Sequence, residues 1–266
     1  MFEFRVVDFT KLAKDFANRA SFTKFVKHST EFNRKQTIAM KKLLILLVAV
    51  LPLVASAQKK DKDWADYARY ENANASLAKA PSVVFMGNSI TQCWYEMHPD
   101  YFNDNNFAGR GISGQVTQQM MSRFRADVID LDPRAVVILA GTNDVARNNG
   151  YISLEHIAQN IESMIQLAKA NRIKVVLCSV LPVKQYKWRK DLGNVSWQIV
   201  ELNKMLKKLA RKYGCKWVDF YSPMVDHEGG LDGRYTKDGV HPTPAGYDLM
   251  EEIIAPKLKR YMPRAK

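Results

Sequence analysis

The sequence predicts an α/β protein, a three-layer α/β/α sandwich with a central parallel sheet. Three observations carry this expectation. From residue 82 onward, short runs rich in Val, Ile and Leu alternate with longer stretches of helical periodicity. The longer apolar runs are hydrophobic throughout rather than at every second position, the pattern of strands covered on both faces. Strands separated by helices form βαβ units, whose right-handed crossovers build a parallel sheet with helices on either side.

The elements follow in order. Residues 40–57, MKKLLILLVAVLPLVASA, combine a Lys41-Lys42 start, an apolar run from Leu43 to Val54 and an Ala55-Ser56-Ala57 end. That is the make-up of a secretory signal peptide, cleaved before Gln58. The apolar run falls short of the ~20 residues that span a bilayer. No cysteine follows the cleavage point, so a lipid anchor there is not indicated. Residues 1–39 are basic and carry no readable motif. The expectation is that Met40 is the true start and that this leader is an upstream misreading of the gene.

A single domain is expected over 58–266. Its first helix lies between Asp63 and Ala80, with Trp64, Tyr67 and Leu77 on the packing side and Pro81 ending it. Strands are expected at 82–86 (SVVFM), more faintly near Asn106-Phe107-Ala108, then at 135–140, 174–180 and 216–220. Helices are expected over Thr117–Ile129, over Ser153–Asn171, over Val195–Tyr213 with Gly214 as its C-terminal cap, and from Thr243 to about Lys259.

The formal charge is +13, from 40 Lys and Arg against 27 Asp and Glu. Residues 1–57 hold 10 of those basic side chains and 4 of the acidic ones, which leaves 30 against 23, or +7 over 209 residues. The remaining basic residues are scattered, apart from the QKKDK stretch after residue 57 and one helix face (Lys204, Lys207, Lys208, Arg211, Lys212). That fits a solvated surface better than a groove tracking phosphates, and no nucleic-acid partner is expected. Three cysteines (Cys93, Cys178, Cys215) are an odd number without C-x-x-C spacing, which supports neither a metal site nor a disulfide framework. Cys178 reads as a small buried hydrophobe, and export would permit one disulfide.

In sheets of this kind, active groups collect beyond the carboxyl ends of the strands. After the first strand stand Gly87-Asn88-Ser89, after the second Arg110-Gly111-Ile112-Ser113-Gly114, and after the third Gly141-Thr142-Asn143-Asp144. Before the last helix stands Thr236-Lys237-Asp238-Gly239-Val240-His241-Pro242. Together these segments hold what acyl transfer requires. A serine hydroxyl needs a base, usually histidine, and the histidine needs a carboxylate to hold its tautomer. Asp238 and His241 are close enough in sequence for one tight turn to present both. Backbone N–H groups at Ser89 and Gly114, with the Asn143 side-chain amide, can serve a developing oxyanion.

Each signal alone has an ordinary reading. A serine after a strand is most often a helix N-cap, Gly111, Gly114 and Asn143 suit turns, and His241 before Pro242 can end a loop. Their joint order behind successive strands is what gives them weight. A metal-dependent hydrolase is disfavoured, because Asp238 and His241 lack further ligands at recognisable spacing. Asp144 reads equally as a brace for its loop and as a turn residue. Arg110 is a candidate to meet an anionic or sugar group, and Trp94, Trp188 and Trp197 are candidates to stack on a sugar ring. A surface ion pair is the ordinary alternative for Arg110, and core packing or a lid role for each tryptophan. His98, His156 and His227 read as surface or satisfied histidines.

The four segments resemble the four blocks of the SGNH hydrolases, also called the GDSL esterase/lipase family. Ser89, Gly114, Asn143 and His241 fall on the residues of that name, and RGISG, AGTND and DGVHP are specific blocks. The resemblance spans roughly Pro81 to Ile254. It implies a flavodoxin-like fold and ester hydrolysis without metal or other cofactor. It also implies a Ser89–His241–Asp238 triad and an oxyanion hole of Ser89, Gly114 and Asn143. The sequence departs from the family name at Asn88, where aspartate is expected. Asn and Asp cap helices about equally well, and Asp238 supplies the triad carboxylate, so the departure removes no catalytic group. G-N-S-I-T is also a variant within the family.

Residues 184–195 (KQYKWRKDLGNV) follow a strand and are expected in the pocket wall. No long apolar flap is evident, which disfavours a long-chain lipase. Export, with the resemblance to SGNH proteins of carbohydrate-degrading bacteria, points to a short acyl group, acetyl above all, on a glycan or small-molecule ester. The mature protein is then periplasmic or secreted, without stable membrane insertion. A lysophospholipase, a platelet-activating-factor-acetylhydrolase-like esterase, a glycan-binding module and an acyltransferase on the same scaffold are the alternatives.

Overall fold

The computed structural model describes residues 63–262, together with seven exposed helical residues between Thr23 and Arg34. The signal peptide expected at 40–57, and all of the leader expected at 1–39 except those seven positions, lie outside the described residues. The chain separates into two units, Met1–Lys62 and Asp63–Lys266, and the α/β fold belongs to the second. No helix among the described residues is long and apolar enough to cross a membrane.

Five strands, Val83–Gly87 (β1), Phe107–Gly111 (β2), Ala135–Leu139 (β3), Lys174–Cys178 (β4) and Lys216–Val218 (β5), form one sheet in the order β2-β1-β3-β4-β5. Every pairing is parallel. Around and between them run helices Ala68–Ala75 (α1), Ser89–Met97 (α2), Pro99–Asp104 (α3), Thr117–Asp127 (α4), Thr142–Val145 (α5), Leu154–Ala170 (α6), Ser196–Lys212 (α7), Tyr221–Met224 (α8) and Pro244–Leu258 (α9).

Successive side chains of a strand point to opposite faces, and here both faces are apolar. Val84, Met86, Val136, Ile138, Val175 and Leu177 share one core with Phe124 of α4, Ile161 of α6 and Leu202 of α7. Val83, Phe85, Val137, Leu139 and Val176 share the other with Trp94 of α2, Phe102 of α3 and Ile254 of α9. The result is the three-layer sandwich that the apolar runs demanded. The exposed face of α7 carries Lys204, Lys207, Lys208, Arg211 and Lys212 in solvent.

Strand order reverses beside β1, since β2 lies on one side of it and β3 on the other. Gly87 pairs with Gly111 and with Leu139, so the loops leaving three neighbouring strands start side by side. Such a reversal opens a crevice at the carboxyl edge of the sheet.

Two expectations need correction. The first helix covers only Ala68–Ala75 and buries none of its residues, while Trp64, Tyr67 and Leu77 are exposed. It is tied down by polar contacts instead. Tyr70 donates to the Gly111 carbonyl, and Asn74 Nδ2 donates to Asp127 Oδ1 at 2.8 Å. The faint strand near residue 107 is a full sheet member running to Gly111, wholly buried. Two glycines and an arginine among its five residues hide the apolar pattern.

Candidate active site

β1 ends at Gly87, where a Cβ would lie 2.0 Å from Thr91 Oγ1 and 2.9 Å from the Leu139 carbonyl. Only glycine lets α2 start so close to the sheet. Asn88 caps α2, its Oδ1 accepting from the Ile90 N–H at 3.0 Å, so the residue in place of aspartate acts on the helix. Ser89 is the first helical residue, and its Oγ lies 2.9 Å from His241 Nε2. His241 Nδ1 lies 2.7 Å from Asp238 Oδ2.

The two oxygens of Asp238 have separate partners. Oδ2 faces the imidazole, whereas Oδ1 accepts from the backbone N–H groups of Val240 at 2.9 Å and His241 at 2.8 Å. Burial pushes this carboxyl up, but the hydrogen bonds from the His241 ring and from both backbone groups outweigh it and hold the pKa at about 2. An ionised Asp238 can only accept, which assigns the proton to Nδ1 and leaves Nε2 to accept from the Ser89 hydroxyl. Such a row can take the hydroxyl proton as the oxygen attacks a carbonyl.

Asn143 sits in α5, buried at the edge of the crevice. Its Nδ2 donates one hydrogen to the Gln115 carbonyl at 3.0 Å, which orients the amide and leaves the second hydrogen free. Gly114 has φ +78°, a backbone state that favours glycine, in open space. The Ser89 and Gly114 N–H groups donate to no acceptor among the described residues. The structure thus joins Ser89, His241 and Asp238 directly, and ties Asn143 to the Gly114 loop through Gln115.

Asp144 braces its loop. Both carboxylate oxygens accept from the Thr117 N–H at 3.0 Å, and Oδ1 also takes the Thr117 hydroxyl at 2.5 Å. Burial pushes its pKa up to about 6, against the pull of the Thr117 bonds.

The substrate candidates divide. Trp94 is fully buried, stacked on Tyr247 at 5.8 Å between centroids, with Nε1 donating to Glu251 at 2.9 Å. It is a core residue and no ligand platform. Arg110 is also withdrawn from solvent: its side chain donates to Asn74 Oδ1 at 2.8 Å and to the Gly109 carbonyl, and lies over the Tyr70 ring. The inward turn of both follows from their surroundings, since α2 packs on β1 and β2, and Asn74 and Tyr70 of α1 receive the Arg110 side chain. Trp188 remains, 47% exposed, its Nε1 donating to Asn148 Oδ1 at 3.0 Å. Trp197 is more exposed still.

Residues 184–195 lie between the two sides of the site. Lys187 donates to the Lys237 carbonyl beside Asp238 at 3.3 Å, and Arg189 donates to the Ala146 and Arg147 carbonyls at 2.9 and 3.2 Å. Tyr186, wholly buried, anchors the segment through Thr142. Sequence reasoning placed Tyr186 and Arg189 only as members of the 184–195 segment, and missed Gln115 and Asn148. Gln115 adjoins the RGISG block, a signal that was there to use; Asn148 gave none.

Among the described residues, His98, Asp248 and Glu251 offer three ligand atoms within 4.8 Å of one another. Glu251 Oε1 already accepts from Trp94 Nε1 and pairs with His98 Nδ1, each at 2.9 Å. Asp238 and His241 are not part of that group. All three cysteines are free, Cys178 fully buried.

A parallel α/β/α sandwich with a serine, an imidazole and a carboxylate in a row at its carboxyl edge is the architecture of a carboxylic ester hydrolase. The model of the GDSL-like lipase/acylhydrolase family matches residues 85–249, over half of the chain, and the chain belongs to that family. A GDSL-like lipase from Bacteroides thetaiotaomicron is 46% identical, with a TM-score of 0.72 over 74% of this chain and 99% of that one. Esterase TesA of Pseudomonas aeruginosa is 26% identical over 68% of this chain and 90% of its own length. An acetylxylan esterase of Xylanibacter ruminicola is 28% identical over 50% of this chain, which spans 30% of that protein.

Proposed function

We propose that Ser89 is the nucleophile of a two-step ester hydrolysis. His241 acts as its base and acid, and Asp238 orients and steadies the imidazole. The N–H groups of Ser89 and Gly114 and the Asn143 amide receive the oxyanion. The observation that carries this reading is the continuous row from Ser89 Oγ to His241 Nε2 at 2.9 Å and from His241 Nδ1 to Asp238 Oδ2 at 2.7 Å.

Ser89 Oγ bonds to the ester carbonyl carbon while its proton passes to Nε2. The tetrahedral oxyanion collapses, the bond to the alcohol oxygen breaks, and Nε2 returns the proton to that oxygen. Water then attacks the acyl-serine by the same route and frees the acid. These steps use the chain's own side chains and water.

The substrate favoured is a short acyl ester, acetyl above all, on a carbohydrate. Support comes from the half-exposed Trp188 near the Gly114 loop, from the likeness to an acetylxylan esterase, and from the export signal read in residues 40–57.

The test is turnover of p-nitrophenyl acetate, butyrate and octanoate by the purified protein, with and without EDTA. Ser89→Ala is expected to lose about 10⁶ in kcat, and Asn143→Ala about 10²–10³. Persistent turnover in Ser89→Ala would overturn the nucleophile assignment. A preference for octanoate would move the substrate toward lipids, and loss of activity in EDTA would refute the metal-free steps.

A further inference from the structure

Of the three donors assigned to the oxyanion, the Gly114 N–H and the Asn143 amide sit on different loops, after β2 and after β3. One residue outside every sequence motif bonds to the backbone carbonyl of each of these two residues. The Asn148 backbone N–H donates to the Asn143 carbonyl at 3.0 Å, and its Nδ2 donates to the Gly114 carbonyl at 3.3 Å. Its Oδ1 accepts from the Trp188 indole at 3.0 Å. An indole N–H can only donate, so the end of the amide facing Trp188 has to be oxygen. The nitrogen then faces Gly114.

The chain holds Asn148 there at a cost. Arg147, immediately before it, has φ +55°, a left-handed state that strains a non-glycine residue. The turn is held by Arg189, whose Nη1 donates to the carbonyls of Ala146 and Arg147. Arg189 is fixed in turn by Asp191, with Nη2 to Oδ2 at 2.8 Å. Neighbours on one strap, Trp188 and Arg189, therefore set the side chain and the backbone of the same short loop.

Gly114 needs such a restraint. A glycine with open space around its Cα can rotate its flanking peptides at little cost, and an oxyanion donor is useful only when aimed in advance.

We infer that Asn148 is a positioning residue: it holds the Gly114 carbonyl, and through it the loop that carries the Gly114 N–H, against Asn143, and the Trp188 indole fixes Asn148. This rests on the reading of Gly114 and Asn143 as the oxyanion donors. Losing the restraint loosens a donor without removing it. The expected loss is about tenfold in kcat, less than the 10²–10³ for deleting one. KM for a small ester is expected to hold within about twofold, because the donors matter most as charge develops.

The experiment compares wild type, Asn148→Ala, Asn148→Asp and Trp188→Phe of the full chain. It reads kcat and KM for p-nitrophenyl acetate, the rate of Ser89 labelling by a fluorophosphonate, and the melting temperature. Asn148→Asp keeps the size of the side chain and its acceptor for Trp188, but sets an oxygen against the Gly114 carbonyl. It is expected to be at least as slow as Asn148→Ala, in turnover and in labelling, with melting unchanged. Trp188→Phe keeps a ring and loses the N–H, and is expected to show a smaller loss of kcat. An Asn148→Asp variant as fast as wild type would overturn the positioning role, since packing alone would survive that change. Ser89→Ala, run alongside, reports on the underlying reading: if it still turns over or is still labelled, the nucleophile assignment falls and the inference with it.

Discussion

Replacing Asp238 by Asn tests the proposed acid–base row at its least visible member. The two oxygens of Asp238 predict a specific failure. Oδ1 holds the loop by accepting from the Val240 and His241 N–H groups, and an asparagine oxygen there preserves both bonds. The other atom, 2.7 Å from His241 Nδ1 in the native residue, becomes an NH₂ that can only donate. His241 must then accept at Nδ1 and carry its proton on Nε2, facing Ser89, where it cannot act as a base. The imidazolium formed in the transition state also loses its counter-charge. The expected loss is about 10⁴ in kcat, equivalent to about 5.5 kcal/mol. KM and fold should be nearly intact, because the loop keeps its backbone hydrogen bonds. The assay is steady-state hydrolysis of p-nitrophenyl acetate beside a thermal melt, with imidazole nitrogen NMR to read the tautomer. A folded Asp238→Asn protein within tenfold of wild type would refute the assigned role.

Two further predictions concern stability. Trp94→Ala should destabilise by about 3–5 kcal/mol, measured by urea unfolding, and leave the KM of the surviving folded enzyme unchanged, because its ring lies in the core against Phe85, Phe102 and Tyr247. Asp144 should make stability fall with rising pH. Its folded pKa of about 6 lies above the ordinary 3.8, so the folded state binds the proton more tightly than the unfolded chain. The contribution is full below pH ~4 and is lost as pH rises through about 6, worth at most about 3 kcal/mol. Relative to Asp144→Asn, wild type should be more stable at pH 5 than at pH 8 in matched unfolding curves, and no change in that difference would count against the buried-carboxylate account.

Most of the sheet was legible in the apolar runs, because uninterrupted stretches such as AVVIL can be stable only with both faces covered. The sequence also pointed to the loops proposed to carry chemistry, because Ser89, Asn143 and His241 come with short-range punctuation: a strand end, a glycine, a turn. Asp238 was legible for the same local reason, three residues from its partner. The direction of a long side chain is different. Trp94 could be read at a mouth or in a core, and Arg110 as a ligand contact or a surface ion pair; only the packing of α2 on the sheet, and the Asn74 and Tyr70 contacts from α1, turned them inward. Asn148, Gln115, Tyr186 and Arg189 join segments far apart in the chain, and no spacing rule reaches across that distance. Tertiary structure decided them because a hydrogen bond depends on where two loops meet, and that is set by the order of the strands beneath them.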